Sequence, residues 1–89
     1  MIHLYSLEYC FYSKKTEELL KQYGFPYQKI TVKQSEKDNY KKQLNKNTFP
    51  QIFYYSNDKC YPIGGCSDLE NLIQNKHVTD IDKLSKLFN

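Results

Sequence analysis

An abrupt change of hydrophobic pattern at Cys10 constrains the fold of this chain more than any other feature. Residues 2–6 form a short, mostly apolar, β-prone run, whereas residues 14–23 carry apolar side chains at helical spacing. A strand must therefore pass into a helix near Cys10. At such a junction, free backbone N–H groups and the positive end of the helix dipole point at the thiol, which favours its thiolate form. We predict a reactive cysteine at a helix start; the alternative is a small, buried and inert core cysteine.

Length and cysteine content limit the class of protein. A chain of 89 residues has room for one domain and no second core. Its three cysteines are too few for a small secreted disulfide scaffold and are odd in number, which indicates a reducing compartment. No run approaches the roughly 18 consecutive apolar residues of a membrane span, and the N-terminus lacks the pattern of a signal peptide. We expect a soluble, cytoplasmic protein with no membrane partner.

The charge pattern argues against a nucleic-acid partner. The net charge of +3 comes from lysine alone, because the chain has no arginine. The lysines are dispersed among acidic residues, whereas nucleic-acid binders usually cluster arginine and lysine on one face. The nine tyrosines suggest base stacking. Most of them, however, fall at strand or helix-face positions, so we interpret them as part of the core and its rim.

The pattern along the chain predicts the order βαβα, then a ββ hairpin, then two helices. Gly24 and Pro26 end the first helix, and two strands joined by that helix suggest a parallel βαβ unit. Ser35 is a plausible N-cap of the second helix, and Thr79 and Asp82 stand in a capping-box relation before the last one. The predicted elements are strands over 2–6, 25–32, 51–55 and 60–63, and helices over 11–23, 36–44, from 66 or 67, and after 79.

Three motifs in this order resemble those of the glutaredoxin family of the thioredoxin superfamily. They are Cys-Phe-Tyr-Ser at 10–13, Thr-Phe-Pro-Gln-Ile-Phe at 48–53 and Ile-Gly-Gly-Cys-Ser-Asp-Leu at 63–69. The resemblance covers residues 1 to about 75. It implies an α/β thioredoxin fold with a central four-stranded mixed sheet flanked by helices, β-α-β-α-β-β-α plus a short C-terminal helix, as one domain over 1–89.

The resemblance implies a glutathione site built from the first two motifs. Cys10 would be the nucleophile that accepts the glutathionyl group, and Tyr12 would lie beside its sulfur and contact the tripeptide. Thr48, Phe49 and Pro50 would form the family's cis-proline loop. In that loop the backbone N–H and C=O of Phe49 would pair with the cysteinyl part of glutathione.

The third motif would hold the γ-glutamyl end of glutathione. Gly64 and Gly65 allow close backbone approach, and a helix N-terminus favours an anion. The glutamyl carboxylate would meet Ser67 and its ammonium group would meet Asp68; the alternative for these two residues is an ordinary helix cap. Cys66 belongs to the same binding segment, and it is either an alternative resolving thiol or a partly buried spacer.

The active-site motif departs from the family at two positions. Ser13 stands where many glutaredoxins have a second cysteine, so no disulfide can join position 13 to Cys10. The sequence leaves open whether Ser13 is native or replaces a cysteine. Phe11 stands in place of the usual proline, which leaves the loop less constrained.

Two further departures concern a lysine and a hairpin. Leu7 occupies a position where relatives often have a lysine for the glycyl carboxylate of glutathione. That contact either falls to a lysine of the second helix, such as Lys37 or Lys41, or is missing. The hairpin over 54–62 is longer than is usual in the family and contains Cys60, for which the sequence suggests no function.

The resemblance implies a glutathione-dependent thiol–disulfide oxidoreductase that needs one enzyme cysteine. The Cys10 thiolate attacks the glutathione sulfur of a mixed disulfide, and a second glutathione then releases oxidised glutathione from the enzyme. The expected partners are glutathione and glutathionylated or disulfide-containing proteins. The expected oligomeric state is a monomer, and no metal is expected.

Two other functions stay open. The chain could carry a 2Fe–2S cluster between two subunits, with the cysteine and bound glutathione as thiolate ligands. Cluster carriers of the family usually have glycine and phenylalanine after the cysteine, whereas this chain has Phe11 and Tyr12, which favours the oxidoreductase. The remaining alternative is a catalytically silent binding module with the thioredoxin fold.

Overall fold

The predicted order of strands and helices is confirmed by the computed structural model, which describes residues 1–88. A short 3₁₀ turn, Gln34–Glu36, precedes the second helix. The elements are β1 (Ile2–Leu7), α1 (Phe11–Gln22), β2 (Tyr27–Val32), α2 (Lys37–Leu44), β3 (Gln51–Ser56), β4 (Lys59–Gly64), α3 (Cys66–Asn75) and α4 (Ile81–Phe88).

The four strands form one mixed sheet in the order β2-β1-β3-β4. β1 and β2 are parallel, with Ile2 opposite Tyr27 and Leu7 opposite Val32, and α1 joins them as the predicted βαβ unit. β3 runs antiparallel to β1, and β4 runs antiparallel to β3. The end of β1 therefore leads directly to Cys10 at the carboxyl edge of the parallel pair.

The main core lies on the sheet face covered by α1, α3 and α4. Strand β1 alternates in burial, so that Ile2 and Leu4 point into this core while the residues between them are partly exposed. The helices contribute one or two aliphatic side chains each, and burying each such side chain stabilises the fold by about 1.5–3 kcal/mol. The core includes Ile2, Leu4, Ile52 and Tyr54 of the sheet and Leu20, Leu69, Ile73 and Leu84 of the helices.

The opposite face of the sheet is aromatic. The Tyr5 ring packs edge-on against Phe53, with ring centroids 5.8 Å apart, and lies 5.9 Å from the ring of Tyr40 on α2. None of the eight residues of α2 is fully buried, which agrees with the thin apolar face that its sequence predicts. A short polar helix therefore covers this face mainly through one tyrosine.

Two predicted helix caps are wrong. Ser35 lies inside the 3₁₀ turn, and the backbone N–H of Lys33 donates instead to the Glu36 carboxylate at 3.2 Å. At α4, Asp80 caps the helix in place of Thr79, because its Oδ1 accepts the backbone N–H of Lys83 at 2.9 Å. At α4 the cap is therefore a carboxylate one residue further along the chain than predicted. Glu36 closes the 3₁₀ turn instead, and within residues 1–88 no side chain makes a capping hydrogen bond at the start of α2.

The boundary of β2 also differs from the prediction. The strand begins at Tyr27, two residues later than predicted, because Phe25 is buried in the core within the connection from α1. Gly24 has a φ of +68°, as expected for the residue that ends α1. The predicted hairpin turn is confirmed, with Asn57 and Asp58 both in the left-handed region.

The last helix extends the core with an aromatic stack. Phe88 lies parallel to Tyr54 and Tyr61, with ring centroids 5.5 Å and 4.8 Å away. The longest helix, α1, has 12 residues, and within residues 1–88 no helix has the length and apolar character that crossing a membrane requires.

Leucines on α4 provide a matched test of this packing. Leu84 is 1% exposed, whereas Leu87 is 49% exposed. We predict that Leu84→Ala lowers the free energy of unfolding by about 2–5 kcal/mol, the usual cost of truncating a buried leucine. Leu87→Ala, the control, changes it by less than about 0.5 kcal/mol. Urea denaturation followed by circular dichroism measures both, and equal effects would contradict the packing of α4 on the sheet.

Candidate active site around Cys10

Cys10 stands at the N-terminus of α1, as predicted. Its backbone is extended, with φ −107° and ψ 121°, and its carbonyl accepts the N–H of Lys14 at 3.1 Å. The thiol makes no capping hydrogen bond to α1 among residues 1–88, and the residue is partly exposed. The alternative of a buried core cysteine is therefore wrong. The thiol is accessible, and the free N–H groups of the first helical turn lie beside it.

Ser13 connects the first turn of α1 to the end of β1. Its side chain is 1% exposed, and its Oγ accepts the backbone N–H of Leu7 at 3.0 Å. One turn further on, the Thr16 hydroxyl donates to the Tyr12 carbonyl at 2.8 Å. The position at which many relatives have a second cysteine is thus filled by a buried hydroxyl that holds the loop around Cys10.

The second motif forms the loop before β3. The Phe49–Pro50 peptide bond is cis, as the family resemblance implied, and Pro50 is fully buried. The Gln51 side-chain amide donates to the Thr48 carbonyl at 2.8 Å and to the Thr48 hydroxyl at 3.1 Å. These hydrogen bonds hold the loop in place. A Cβ on Gly65 would lie 3.5 Å from the Pro50 carbonyl, so the second and third motifs are in contact.

The third motif forms the N-terminus of α3. The Gly65 N–H donates to Asp68 Oδ2 at 2.8 Å, so Asp68 does act as a helix cap. Gly64 has a φ of +117°, and a Cβ there would collide with the Asp68 carboxylate. Glycine at position 64 is therefore required both by its backbone conformation and by the close approach of this carboxylate.

One cavity of about 550 Å³ brings all three motifs together. Every residue predicted to bind glutathione lines this cavity, and Lys46, Gln51, Gly64 and Glu70 complete its wall. Lys46 is the lysine on this wall, whereas Lys37 and Lys41, suggested for the glycyl carboxylate, do not line the cavity. The predicted residues are Tyr12, Thr48, Phe49, Pro50, Gly65, Cys66, Ser67 and Asp68.

The sequence analysis missed Lys46 because it considered only lysines of α2, the helix that precedes this residue. α2 ends at Asn45, whose φ of +55° turns the chain in the left-handed region. Lys46 follows that turn and precedes the cis-proline loop by two residues. The sequence signal that could have identified Lys46 is a lysine placed between a helix-ending asparagine and a Thr-x-Pro motif.

Cys10 itself lines a second cavity, of about 680 Å³, on the other side of the active-site turn. Its wall includes the end of β1, the turn before α1, and two residues of β2, Lys29 and Thr31. This cavity was not predicted. The parallel pairing of β1 with β2 was expected, but the sequence pattern did not indicate which side chains of β2 and α1 share a wall with Cys10. The two cavities lie on either side of the turn that carries Cys10 and Tyr12.

The other two cysteines lie in different environments. Cys66 is 5% exposed, and its Sγ donates to a Glu70 carboxylate oxygen at 3.5 Å. Burial raises the pKa of the Cys66 thiol, a hydrogen bond with Thr16 opposes this, and Glu70 adds to it. A thiol with a raised pKa is mostly protonated at neutral pH, which favours Cys66 as a spacer over a resolving thiol. Cys60 is exposed on β4.

Residues 1–88 contain no group of three or more His, Cys, Asp or Glu side chains that could hold a metal ion. The cluster-carrier alternative needs only one protein thiolate from each subunit. This finding therefore does not bear on that alternative.

The buried Ser13 hydroxyl makes a testable contribution to stability. Ser13→Ala leaves the Leu7 N–H without its acceptor, and we predict a loss of about 1–3 kcal/mol in the free energy of unfolding. Ser35→Ala, which truncates an exposed serine, is the control and has an effect below about 0.5 kcal/mol. Urea denaturation measures both, and a Ser13→Ala variant as stable as its control would contradict the role given to this hydrogen bond.

The burial of Cys66 predicts an order of alkylation. At neutral pH, iodoacetamide labels the exposed Cys60 before Cys66, because Cys66 is both shielded and mostly protonated. Labelling of Cys66 accelerates only as the pH rises beyond 9.0, the ordinary pKa of a free thiol, since its own pKa is higher. Peptide mass mapping at several pH values measures the rates, and labelling of Cys66 as fast as Cys60 at neutral pH would contradict this environment.

Comparison with known proteins agrees with the geometry. A model of the glutaredoxin family matches residues 2–60. The solution structure of glutaredoxin from Brucella melitensis is 28% identical, with a TM-score of 0.64, and the match covers 83% of this chain and 78% of that one. No curated protein sequence matches the chain.

Two crystal structures of lower identity show the same fold. Glutaredoxin 1 from Francisella tularensis, complexed with cacodylate, has 15% identity and a TM-score of 0.69 over 85% of this chain and 94% of that one. A buckwheat glutaredoxin–glutathione complex has 19% identity and a TM-score of 0.68, and the match covers 96% of this chain and 76% of that one. Since the family model covers Cys10 and the cis-proline loop, the chain belongs to the glutaredoxin family of the thioredoxin superfamily and has the role of a thiol–disulfide oxidoreductase.

Proposed function

We propose that the chain is a glutathione-dependent oxidoreductase that reduces glutathione mixed disulfides through Cys10 alone. The observation that carries this proposal is the cavity of about 550 Å³ in which three sequence motifs meet beside the active-site turn. The glutathione complex of the buckwheat relative adds support. We place the activity in the cytoplasm, where glutathione keeps thiols reduced, with the chain as a monomer.

Each part of glutathione has a matching group in this cavity. The Phe49 backbone, next to Pro50, pairs with the cysteinyl part of the tripeptide. The N-terminus of α3 and Ser67 receive the γ-glutamyl carboxylate, and Asp68 receives the ammonium group. Lys46 is the cation on the cavity wall and receives the glycyl carboxylate. Asp68 keeps its hydrogen bond to the Gly65 N–H, so capping and ligand binding are compatible.

The reaction proceeds by two thiol–disulfide exchanges. In the first, the Cys10 thiolate attacks the glutathione sulfur of the mixed disulfide, a new S–S bond forms, and the substrate leaves as a thiolate that takes up a proton. In the second, the thiolate of another glutathione attacks the glutathione sulfur of the adduct, which releases oxidised glutathione and restores the Cys10 thiolate. Each full cycle consumes one glutathione thiol, because the other glutathionyl group of the released disulfide comes from the mixed disulfide itself.

The residues around Cys10 suit this one-cysteine route. The start of α1 places free backbone N–H groups beside Cys10, whose sulfur acts first as the attacking group and then as the leaving group. Ser13 offers no second thiol, so the enzyme-bound adduct waits for external glutathione. Cys66, buried beside Glu70, does not compete for the adduct under this proposal.

The assignment of the nucleophile predicts the site of glutathionylation. After incubation with oxidised glutathione, intact-mass measurement should show one adduct on the chain, and Cys10→Ser should abolish it because the attacking thiolate is gone. Cys60→Ser is the matched control and keeps the adduct. An adduct retained in Cys10→Ser would overturn the proposal.

The role of Lys46 predicts a binding defect. Lys46→Gln should raise KM for glutathionylated cysteamine about fivefold, the equivalent of about 1 kcal/mol for a partly exposed ion pair. The kcat should change little, because the glycyl carboxylate is remote from the reacting sulfurs. Lys42→Gln removes an exposed charge of the same helix end outside the cavity and should leave KM unchanged. Equal KM values for the two variants would remove Lys46 from the binding site.

A further inference from the structure

Tyr9, which precedes Cys10, stands in an unfavourable backbone conformation. Its φ is +58°, in the left-handed region that glycine, asparagine and aspartate adopt more readily. Its side chain is 93% exposed and therefore gains almost nothing from packing. Neither local conformation nor the stability of the fold accounts for a tyrosine at this position. An outlier of this kind next to a reactive thiol points to a contact with another molecule.

Phe11, on the other side of Cys10, is also exposed. Its side chain is 71% exposed, and its only ring contact within residues 1–88 is an edge-to-face one with Tyr12, with centroids 5.2 Å apart. Single exposed apolar side chains are common on protein surfaces. Here, however, two aromatic residues flank the reactive cysteine, and Tyr9, Cys10 and Phe11 all line the cavity of about 680 Å³.

Among residues 1–88, Lys14 is the lysine of this wall that has no carboxylate partner. The other lysine, Lys29, pairs with Glu17 at 3.1 Å, and Glu17 also accepts the Ser6 hydroxyl at 2.9 Å. Glu8 keeps its charge but is held at the 3₁₀ turn, where it accepts a backbone N–H at 3.0 Å. Lys14 is exposed and has no ion pair in this described part of the chain, so its ammonium group is free to pair with an external carboxylate.

We propose that Tyr9, Phe11 and Lys14 form a docking face for the polypeptide half of glutathionylated proteins. This face selects segments in which an apolar side chain and a carboxylate lie within three residues of the modified cysteine. The apolar side chain packs on Tyr9 and Phe11, and the carboxylate pairs with Lys14. The proposal rests on the proposed function and adds the chemistry of the protein substrate to it.

The division into two cavities supports this arrangement. Glutathione and the polypeptide are attached through one disulfide, and the glutathione half fills the cavity lined by the cis-proline loop and α3. The polypeptide half must then cross the Cys10 turn towards the side that carries Tyr9 and Phe11. Three extended residues span about 10 Å, so the residues next to the modified cysteine stay close to the cavity that Cys10 shares with Tyr9, Phe11 and Lys14.

Short glutathionylated peptides test the proposal. The probe is acetyl-Asp-Leu-Cys-Gly-Ser-amide, glutathionylated on its cysteine, and two comparison peptides carry Lys for Asp or Ser for Leu. Deglutathionylation of each by the full chain is measured as kcat/KM with glutathione as reductant, alongside glutathionylated cysteamine, which has no polypeptide half. We expect each change in the peptide to lower kcat/KM about fivefold, with the effect of the Lys peptide shrinking at high salt.

Variants of the docking face separate its two contributions. Lys14→Gln should remove the preference for Asp over Lys while leaving the preference for Leu over Ser. Tyr9→Asn, which suits the left-handed backbone, should reduce the preference for Leu over Ser. Lys76→Gln, at the far end of α3, is the control and should change neither preference. All three variants should turn over glutathionylated cysteamine within about twofold of the parent chain, because none touches the glutathione cavity.

The outcomes distinguish the two proposals. Equal kcat/KM for all three peptides, with normal turnover of glutathionylated cysteamine, would overturn the docking face and leave the proposed function standing. Preferences that persist in both Lys14→Gln and Tyr9→Asn would also overturn it. If the chain turned over neither the peptides nor glutathionylated cysteamine, the proposed function would be overturned, and the docking face with it.

Discussion

The active site depends on the parallel pairing of β1 with β2 through α1. This pairing requires the chain to leave β1 at the edge of the sheet and to reverse into a helix within three residues, at Cys10. The Leu7 N–H donates to the buried Ser13 hydroxyl, which fixes the first turn of α1 against the strand that precedes it. The thiol is thereby held at a helix N-terminus, beside the free backbone N–H groups that start the helix.

Antiparallel pairing then brings two distant segments to the same edge of the sheet. β3 runs opposite to β1 with Gln51 beside Tyr5, so the cis-proline loop that precedes β3 lies near the end of β1. β4 runs opposite to β3 with Gly64 beside Ile52, so the N-terminus of α3 follows at this edge. Topology alone thus converts three motifs that are far apart in sequence into one cavity. The reactive thiol stands between that cavity and the one beneath the exposed aromatic residues.

Much of this arrangement was predictable, because it depends on short-range patterns. The switch from β-prone to helical spacing placed Cys10 at a helix start, and Gly24 ended the first helix as expected. The predicted strands over 51–55 and 60–63 implied a hairpin, and its turn uses Asn57 and Asp58, two residue types that tolerate the left-handed region. The motif resemblance identified eight residues that line the cavity. The fold followed from local patterns, whereas the cavity wall followed only from the resemblance of the three motifs to those of the family.

The sequence by itself determined the order of elements and the place of the reactive cysteine, because these depend on neighbours along the chain. Most of the cavity wall could be named only through the family resemblance, because its residues are far apart in sequence. Tertiary structure decided which lysine faces the cavity: Lys46 does so because α2 ends in a left-handed turn, a direction that periodicity does not encode. It also decided how the helices begin: Asp80 caps α4 in place of Thr79, and Ser35 lies inside a 3₁₀ turn before α2. The second cavity required the packed structure, because the predicted pairing of β1 with β2 does not by itself say which side chains of β1, β2 and α1 meet around Cys10.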